Sequence, residues 1–343
     1  MKYTLKVAHI RKETGDTVTL CFKQPGLKKI KYLPGQYLTL IFRINGRRYI
    51  RPYSFSSCPG VDSYLEVTVK RVPNGIVSNH INDQIKEGDS IEVMEPMGDF
   101  TFEDSLQASS VYLWGVGSGI TPLISIAKYI LSSAPQINVN LIYGNRNSES
   151  TIFSEQITSL ELKYMGVFTV THFHTKLSID LNNPSHVLGR IDGTKALEIL
   201  KKDQNLSSTM HYICGPAGLK ESVKQSLLLS GVQLENIFSE DFELVKDPKD
   251  FEHITTQSIV LDFDNEKFDL EVIKGRTILE AALDAGIELP YSCQTGSCST
   301  CMGKLVSGRT KMIGLTSKRS DLAPNEYLLC CTHPLTSDVC IKL

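Results

Sequence analysis

From the N-terminus to about Phe102, apolar and polar side chains alternate in short runs: Tyr3 to Ile10, Thr17 to Lys23, Tyr37 to Arg43, Tyr64 to Arg71 and Ser90 to Met94. A period of two puts successive side chains on opposite faces, as half-buried strands require. Pro25-Gly26, Pro34-Gly35, Asn45-Gly46 and Pro59-Gly60 separate the runs with turn-forming residues. With one helical candidate among them, Ile76 to Ile85, the pattern predicts a small antiparallel β-barrel over residues 1–105.

From about Ser109 the rhythm becomes strand, glycine turn, helix: Val111 to Trp114, Gly115 to Gly119, then Thr121 through Leu131. Val139 to Tyr143 and Met210 to Ile213 are further short apolar strands that can be covered on both faces, as a parallel sheet requires. Residues 106–243 therefore read as an α/β nucleotide-binding domain. Leu244 to Asp250 is charged and contains Pro248, which suits an exposed linker over 244–254. A third unit, 255–343, opens with paired strands (Ser258 to Phe263, Lys267 to Val272) and a helix, Ile278 to Ala285, ended by Gly286. No internal repeat or low-complexity tract is evident.

Composition narrows the function classes. The 343 residues, 41% hydrophobic and 22% charged, are those of a soluble globular protein with more than one domain. Thirty-six basic against 38 acidic side chains leave a net charge of -2, so no global positive field exists to hold nucleic acid or an anionic membrane. The alternating N-terminus lacks the apolar core of a signal peptide, and no segment approaches the roughly 18 apolar residues of a membrane span. The expected address is the cytoplasm.

Five of the nine cysteines fall between Cys293 and Cys331, which in a reducing compartment reads as a metal site. Cys293-x4-Cys298-x2-Cys301, with Cys330 farther on, matches the spacing of plant-type [2Fe-2S] ferredoxins. Soft thiolates suit iron and sulfide, and Gly296 and Ser297 are small residues where backbone must pass close to a cluster. A zinc site is the alternative, although zinc knuckles usually pair their thiols in two close units. The segment resembles the ferredoxins beyond its cysteines, at Leu279 to Ala282, Pro290 to Cys293, Gly303 to Gly308, and Leu329-Cys330 followed by Pro334. That resemblance implies a C-terminal α+β β-grasp ferredoxin domain. It also implies that Cys330, which keeps the family spacing to Pro334, is the fourth ligand in preference to Cys331.

Arg51-Pro52-Tyr53-Ser54-Phe55-Ser56-Ser57, preceded by Pro34-Gly35-Gln36-Tyr37, resembles the R-x-Y-S-x-x-S signature of the ferredoxin reductase superfamily. The resemblance implies that Arg51 meets the flavin pyrophosphate, Tyr53 packs on the ring system and Ser54 lies near flavin N5. A bidentate cation suits a pyrophosphate, and a flat aromatic wall suits a flavin. Taken alone, the same residues could be an ordinary edge strand. Lys70-Arg71 followed by Gly75-Ile76-Val77-Ser78 resembles the second flavin element, in which a glycine turn opens a short helix toward phosphate. Lys70, Gly75, Val77 and Ser78 are thus candidate flavin contacts, in a form closer to the FAD-using than the FMN-using branch.

Gly115-Val116-Gly117-Ser118-Gly119-Ile120-Thr121-Pro122 follows a strand and opens a helix, which lets backbone approach dinucleotide phosphates. It is not the Rossmann G-x-G-x-x-G, since Ile stands at 120; it resembles the ferredoxin reductase version ending in Thr-Pro. Thr121 is the expected N-cap and Pro122 the first helical residue. Gly117 and Thr121 are candidate nucleotide contacts. Cys214-Gly215-Pro216 resembles the family's second nicotinamide motif at a strand's carboxyl edge, where such sheets bind ligands. A small buried hydrophobe is the alternative for Cys214. Tyr143-Gly144-Asn145-Arg146 ends another strand without an acid, and Arg146 tilts the expectation modestly from NADH toward NADPH, with an ordinary solvated loop arginine as the alternative. Glu240-Asp241-Phe242 resembles the end of this domain in bacterial reductases, where Phe242 would either cover the flavin or close the domain edge. Among the eight histidines, His172 and His174 sit two apart on one expected strand and read as a satisfied surface pair; none has metal spacing.

In the order flavin, nicotinamide, ferredoxin, these signatures cover nearly the whole chain. They resemble the three-domain reductase components of bacterial multicomponent oxygenases, of the phenylacetyl-CoA epoxidase type. The resemblance implies hydride transfer from nicotinamide C4 to flavin N5 beside Ser54 and Cys214, single-electron delivery through a [2Fe-2S] cluster on Cys293, Cys298, Cys301 and Cys330, and a protein electron acceptor. The hydride step needs no hydrolytic acid or base, since the cofactors carry the chemistry. Alternatives are a reductase serving a Rieske oxygenase, a desaturase or another non-oxygenase acceptor, and, outside redox chemistry, a zinc-stabilised nucleotide sensor.

Overall fold

The computed structural model describes residues 2–26, 29–103, 108–176, 185–201, 203, 206–315 and 319–343. Strands β1 (Lys2–Thr14), β2 (Thr17–Phe22), β3 (Tyr37–Ile44), β4 (Arg47–Ser54), β5 (Leu65–Lys70) and β6 (Ser90–Met94) form one sheet in the order β4-β3-β6-β1-β2-β5. Asn45 and Gly46, at φ 52° and 80°, make the β3–β4 hairpin turn, a conformation in which both central residues are left-handed. Phe55, just past β4, bridges Val67 of β5, so the two outermost strands meet and the sheet curls toward the expected barrel. Strand β4 escapes the period-two pattern: its sequence, RRYIRPYS, is too polar to alternate cleanly. Helix α1 (Ile76–Asp83) opens at Gly75 and buries Val77, Ser78 and Ile81.

The α/β region is a six-stranded, wholly parallel sheet in the order β10-β9-β8-β7-β11-β12. Its strands are β7 (Ser110–Val116), β8 (Asn138–Asn145), β9 (Phe168–His174), β10 (His186–Leu188), β11 (Thr209–Cys214) and β12 (Ile237–Glu240). Between them run α2 (Ile120–Ser133), α3 (Ser154–Lys163), α4 (Gly193–Leu200) and α5 (Ala217–Leu229). Strand β7 shows why both faces are apolar: Val111 and Leu113 join the core under α2 and α3, while Tyr112 and Trp114 join the core under α4 and α5.

Two expectations do not hold. Helix α2 begins at Ile120 with Gly119 as its N-cap, because the 3-10 turn Gly117–Gly119 runs straight into it. The Thr121 hydroxyl then donates back to the Ser118 carbonyl at 3.1 Å instead of accepting a backbone N–H. His172 and His174 are not a surface pair. Strand β9 is covered by β10, His174 is 4% exposed, and both rings pack on His186 at centroid distances of 5.1 and 5.3 Å.

By spatial contact the chain divides into two compact units, 1–40 with 53–241, and 41–52 with 242–343. The second unit carries β13 (Gln257–Phe263), β14 (Glu266–Val272), α6 (Ile278–Asp284), β15 (Met302–Ser307), β16 (Thr310–Met312), β17 (Glu326–Leu328), β18 (Thr332–Pro334) and β19 (Cys340–Lys342). Its main sheet runs β14-β13-β19-β15-β17, with β13 and β19 parallel and the other pairs antiparallel. Thr277 and Glu280 form a reciprocal capping box that starts α6, and Gly286 follows its end at φ 83°. The expected linker contains one 3-10 turn, Pro248–Phe251, capped by Asp247. The 105/106 boundary lies outside the described residues.

Candidate redox centres

Strand β4 delivers Arg51, Tyr53 and Ser54 from adjoining positions. In the second unit, Arg51 Nη1 donates to the Ile50 carbonyl at 2.8 Å. In the first unit, the loop after Ser54 is tied to helix α2. Ser125 Oγ donates to the Ser57 carbonyl (2.6 Å), and Lys128, 4% exposed, donates to the Ser56 carbonyl (3.0 Å) while pairing with Asp62 (2.9 Å). Removing the Asp62 or Ser56 partner would leave the buried Lys128 ammonium short of hydrogen bonds, so Lys128 fixes how the R-x-Y-S-x-x-S loop meets the nucleotide sheet. Nothing local in the sequence marks Lys128 for that task.

At Gly75, where α1 opens, a Cβ would come within 2.6 Å of Ser78 Oγ. Ser78 Oγ itself accepts from the Val72 amide at 3.1 Å. Arg71 is spent on α1, donating to Asn79 at 3.0 Å and pairing with Asp83, whereas Lys70 keeps a loose 3.7 Å pair with Asp16.

In the glycine turn the glycines serve different ends. A Cβ on Gly119 would lie 2.1 Å from the Cys214 carbonyl oxygen, so this glycine lets the turn press against the end of β11. Gly117, at φ 56°, has open space around it, which leaves room for a ligand. Cys214 is 1% exposed, and burial pushes its thiol well above the ordinary range, so it is a neutral wall and not a nucleophile. Gly215 packs on Leu219, where a Cβ would come within 2.9 Å.

Beside Cys214, β12 ends at Glu240, in register with it. Ser54 Oγ donates to Glu240 Oε2 at 3.4 Å, joining the flavin-motif strand to the carboxyl edge of the nucleotide sheet. Burial raises the Glu240 carboxyl to about 8, with the Asp241 charge adding to the rise and the Ser54 hydroxyl opposing it. Lys220 pairs with Asp241, the residue next to Glu240. Glu240 is the functional candidate that sequence reasoning misses. Its only signal is the Glu240-Asp241-Phe242 tripeptide, in which the phenylalanine draws attention first. Phe242 is 45% exposed and groups with the second unit, so it does not close a domain core.

Arg146 follows the end of β8 and is exposed; its carbonyl accepts from the Lys176 amide at 2.9 Å. Two cationic residues thus stand side by side where β8 and β9 end.

In the second unit, Cys293, Cys301 and Cys330 are buried and Cys298 partly so. Cys298 Sγ lies 3.1 Å from Cys293 Sγ, and the amides of Cys298 and Thr295 point at Cys293 Sγ from 3.3 and 3.5 Å. These donors hold the Cys293 thiol well below its usual range, the Cys298 bond most of all. Cys330 interacts with Cys293, Cys301 and its neighbour Cys331, and the Cys331 thiol donates to the Leu328 carbonyl at 3.3 Å. Gly296 has φ 75°, and a Cβ there would come within 2.3 Å of Leu315. Arg319 braces the same loop from outside, donating to the Gly296 carbonyl (2.6 Å) and Ser299 Oγ (2.8 Å). Close thiols with amides aimed at sulfur fit an iron-sulfur cluster.

Comparison with known proteins agrees with this geometry. Residues 4–102 match the family described as oxidoreductase FAD-binding domain, 113–225 the oxidoreductase NAD-binding domain, and 261–335 the 2Fe-2S iron-sulfur cluster binding domain. The chain is 32% identical to a component of 1,2-phenylacetyl-CoA epoxidase from Escherichia coli K12, over 99% of this chain and 97% of that protein. It is also 32% identical to the ferredoxin reductase component of 3-ketosteroid-9-alpha-monooxygenase from Rhodococcus rhodochrous, over 98% and 96%. The solved structure of phthalate dioxygenase reductase shares the fold, with a TM-score of 0.70 at 24% identity over 100% of this chain and 98% of that one. The chain belongs to the ferredoxin reductase superfamily and is an NAD(P)H-dependent oxidoreductase whose FAD-binding, NAD-binding and [2Fe-2S] domains make up an electron-transfer reductase.

Proposed function

We propose that this reductase serves an oxygenase and that the residues named in this subsection carry its electron transfer. The observation that carries the hydride-transfer part is the Ser54–Glu240 contact, which joins the flavin-motif strand to the carboxyl edge of the nucleotide sheet. The oxygenase reading is supported by two full-length relatives, the component of 1,2-phenylacetyl-CoA epoxidase and the ferredoxin reductase component of 3-ketosteroid-9-alpha-monooxygenase. Their equal identity to this chain favours an oxygenase acceptor without choosing between the two.

Bound FAD would take a hydride from the nicotinamide and pass its electrons singly to a [2Fe-2S] cluster. Arg51, Lys70 and the amides that open α1 at Gly75, Val77 and Ser78 hold the flavin phosphates, and Tyr53 packs on its ring system. Ser54 and Cys214 form the walls around the reacting atoms, and Glu240 keeps a proton within reach of the Ser54 hydroxyl at neutral pH. Gly117, Thr121 and Gly215 admit the nucleotide's backbone-bound phosphates, and Arg146 takes the 2′-phosphate of NADPH. Cys293, Cys298, Cys301 and Cys330 hold the cluster. The domain boundaries 1–105, 106–243 and 255–343, with the linker 244–254, complete the proposal. A cytoplasmic address is favoured by the free thiols outside the cluster set, Cys21, Cys58, Cys214, Cys331 and Cys340. No described helix is long and apolar enough to cross a membrane.

The experiment is reconstitution of the purified, brown-yellow holoprotein with a purified oxygenase component from the same cell. Nucleotide oxidation coupled to incorporation of oxygen into product supports the reading. Oxidation with no incorporation, alongside rapid reduction of a non-oxygenase partner, defeats it.

A further inference from the structure

We infer that Tyr291 and Gln294, on either side of Cys293, are positioning residues that lock the cluster loop onto strand β4 at Ile50 and so set how fast the cluster is reduced. The inference rests on the reading of Arg51 as a flavin residue and Cys293 as a cluster ligand. All the contacts it uses lie inside the second unit, which includes residues 41–52.

Strand β4 is the end member of its sheet in hydrogen-bonded order, so its outer backbone groups need partners from elsewhere. At Ile50, which is fully buried, both are supplied from the cluster loop. The Ile50 amide donates to Tyr291 Oη at 3.1 Å, and the Ile50 carbonyl accepts from Gln294 Nε2 at 3.2 Å. The same carbonyl accepts from Arg51 Nη1 at 2.8 Å. One backbone carbonyl therefore joins the guanidinium of Arg51 to the side chain of the residue next to Cys293. Tyr291 is 1% exposed, so losing its hydroxyl would leave the Ile50 amide buried and unpaired.

Two further features show that the contact is built in and not incidental. Gln294 sits at φ 60°, a left-handed conformation that costs a side-chain-bearing residue on the order of 1 kcal/mol, yet Gln and not Gly occupies it. Around the contact, Arg43 and Arg48 pair with Glu288 (3.1 and 3.0 Å) and Arg47 with Asp284 (2.7 Å). Exposed pairs of this kind contribute little each and weaken with salt. The uncharged bonds at Ile50 are the salt-resistant part of the joint. With FAD and cluster bound, the step they would govern is one-electron transfer: each electron given up by the reduced flavin would convert one ferric iron to ferrous, and the hydrogen received as hydride would leave the flavin as a proton to solvent as its second electron departs.

The test uses the holoprotein and two near-isosteric changes, Tyr291→Phe and Gln294→Glu, the second of which replaces the donor with an acceptor. Iron content, melting temperature, deuterium exchange of the Ile50 amide, and stopped-flow rates of flavin bleaching and cluster reduction are recorded. Expected are wild-type iron content and flavin bleaching, Ile50 exchange faster by roughly tenfold in Tyr291→Phe, and cluster reduction slowed several-fold in both variants. Cluster reduction at the wild-type rate in both variants overturns the inference and leaves the contact a structural one. If Gln294→Glu loses iron, Gln294→Asn, which keeps the amide but shortens its reach, takes its place under the same criterion. Wild-type protein that does not bleach with NAD(P)H would instead defeat the proposed function, which keeps the two failures apart.

Discussion

Ser54 on the flavin-motif strand and Glu240 at the end of β12 share a 3.4 Å hydrogen bond across 186 residues of sequence. A carboxyl raised to about 8 by burial is neutral at pH 7 and ionises above pH 8. Placing a negative charge there opposes both the approach of an anionic dinucleotide and the arrival of hydride charge. Flavin bleaching by NADPH should therefore slow as pH rises through about 8, and Glu240→Gln should flatten that limb. The same alkaline limb in wild type and variant would remove Glu240 from the step.

Cys330 and not Cys331 should be needed for the cluster, because Cys330 interacts directly with Cys293 and Cys301, whereas Cys331 interacts with Cys330 and donates its thiol to the Leu328 carbonyl. Serine replacement followed by iron and sulfide assay should show loss in Cys330→Ser and retention in Cys331→Ser. The reverse pattern would transfer the role.

Arg146, with Lys176 beside it, should favour NADPH over NADH. Arg146→Ala should reduce kcat/KM for NADPH by roughly tenfold, or about 1.4 kcal/mol, with little change for NADH. An equal loss with both nucleotides, or a wild-type preference for NADH, would contradict the assignment.

Acid should loosen the nucleotide-binding sheet through its buried histidines. His211 is held neutral, accepting from Trp114 Nε1 at Nδ1 (3.3 Å) and facing Thr209 with Nε2 (2.9 Å). Burial lowers it to about 3, and burial together with His186 and His174 lowers His172 to about 4. Below pH 6.5 the unfolded chain binds protons that the folded one refuses, so stability present above pH 6.5 is lost as pH falls toward these values. The loss is up to about 1.4 kcal/mol per pH unit for each histidine. His211→Gln should flatten the slope of melting temperature against pH over that window. An unchanged slope would assign the acid sensitivity elsewhere.

The features legible in the sequence are local ones. Period-two runs, the Asn45-Gly46 turn and the glycine turn after β7 are each set within a few residues, and the corresponding strands and turns form there. What stays hidden depends on tertiary packing. Nothing near Lys128 shows that its ammonium will be buried against Ser56 and Asp62, and nothing near Glu240 shows that its partner is Ser54. Thr121 has the composition of an N-cap but loses that place because a 3-10 turn fuses with the helix before it. His172 and His174 read as a surface pair on an expected strand, but the three-residue strand β10, too short to stand out in the sequence, covers it.

The most direct test of the electron path from nicotinamide through flavin to cluster is a comparison of acceptors in a cluster-free variant, Cys293→Ser with Cys298→Ser. Shown by assay to lack iron but to retain FAD, it should still be bleached by NADPH and still reduce ferricyanide, a small acceptor that can take electrons at the flavin. Its reduction of cytochrome c, a bulky one-electron acceptor standing in for the natural protein partner, should fall steeply. Cytochrome c reduction at the wild-type rate in that iron-free variant would contradict the cluster's place in the path.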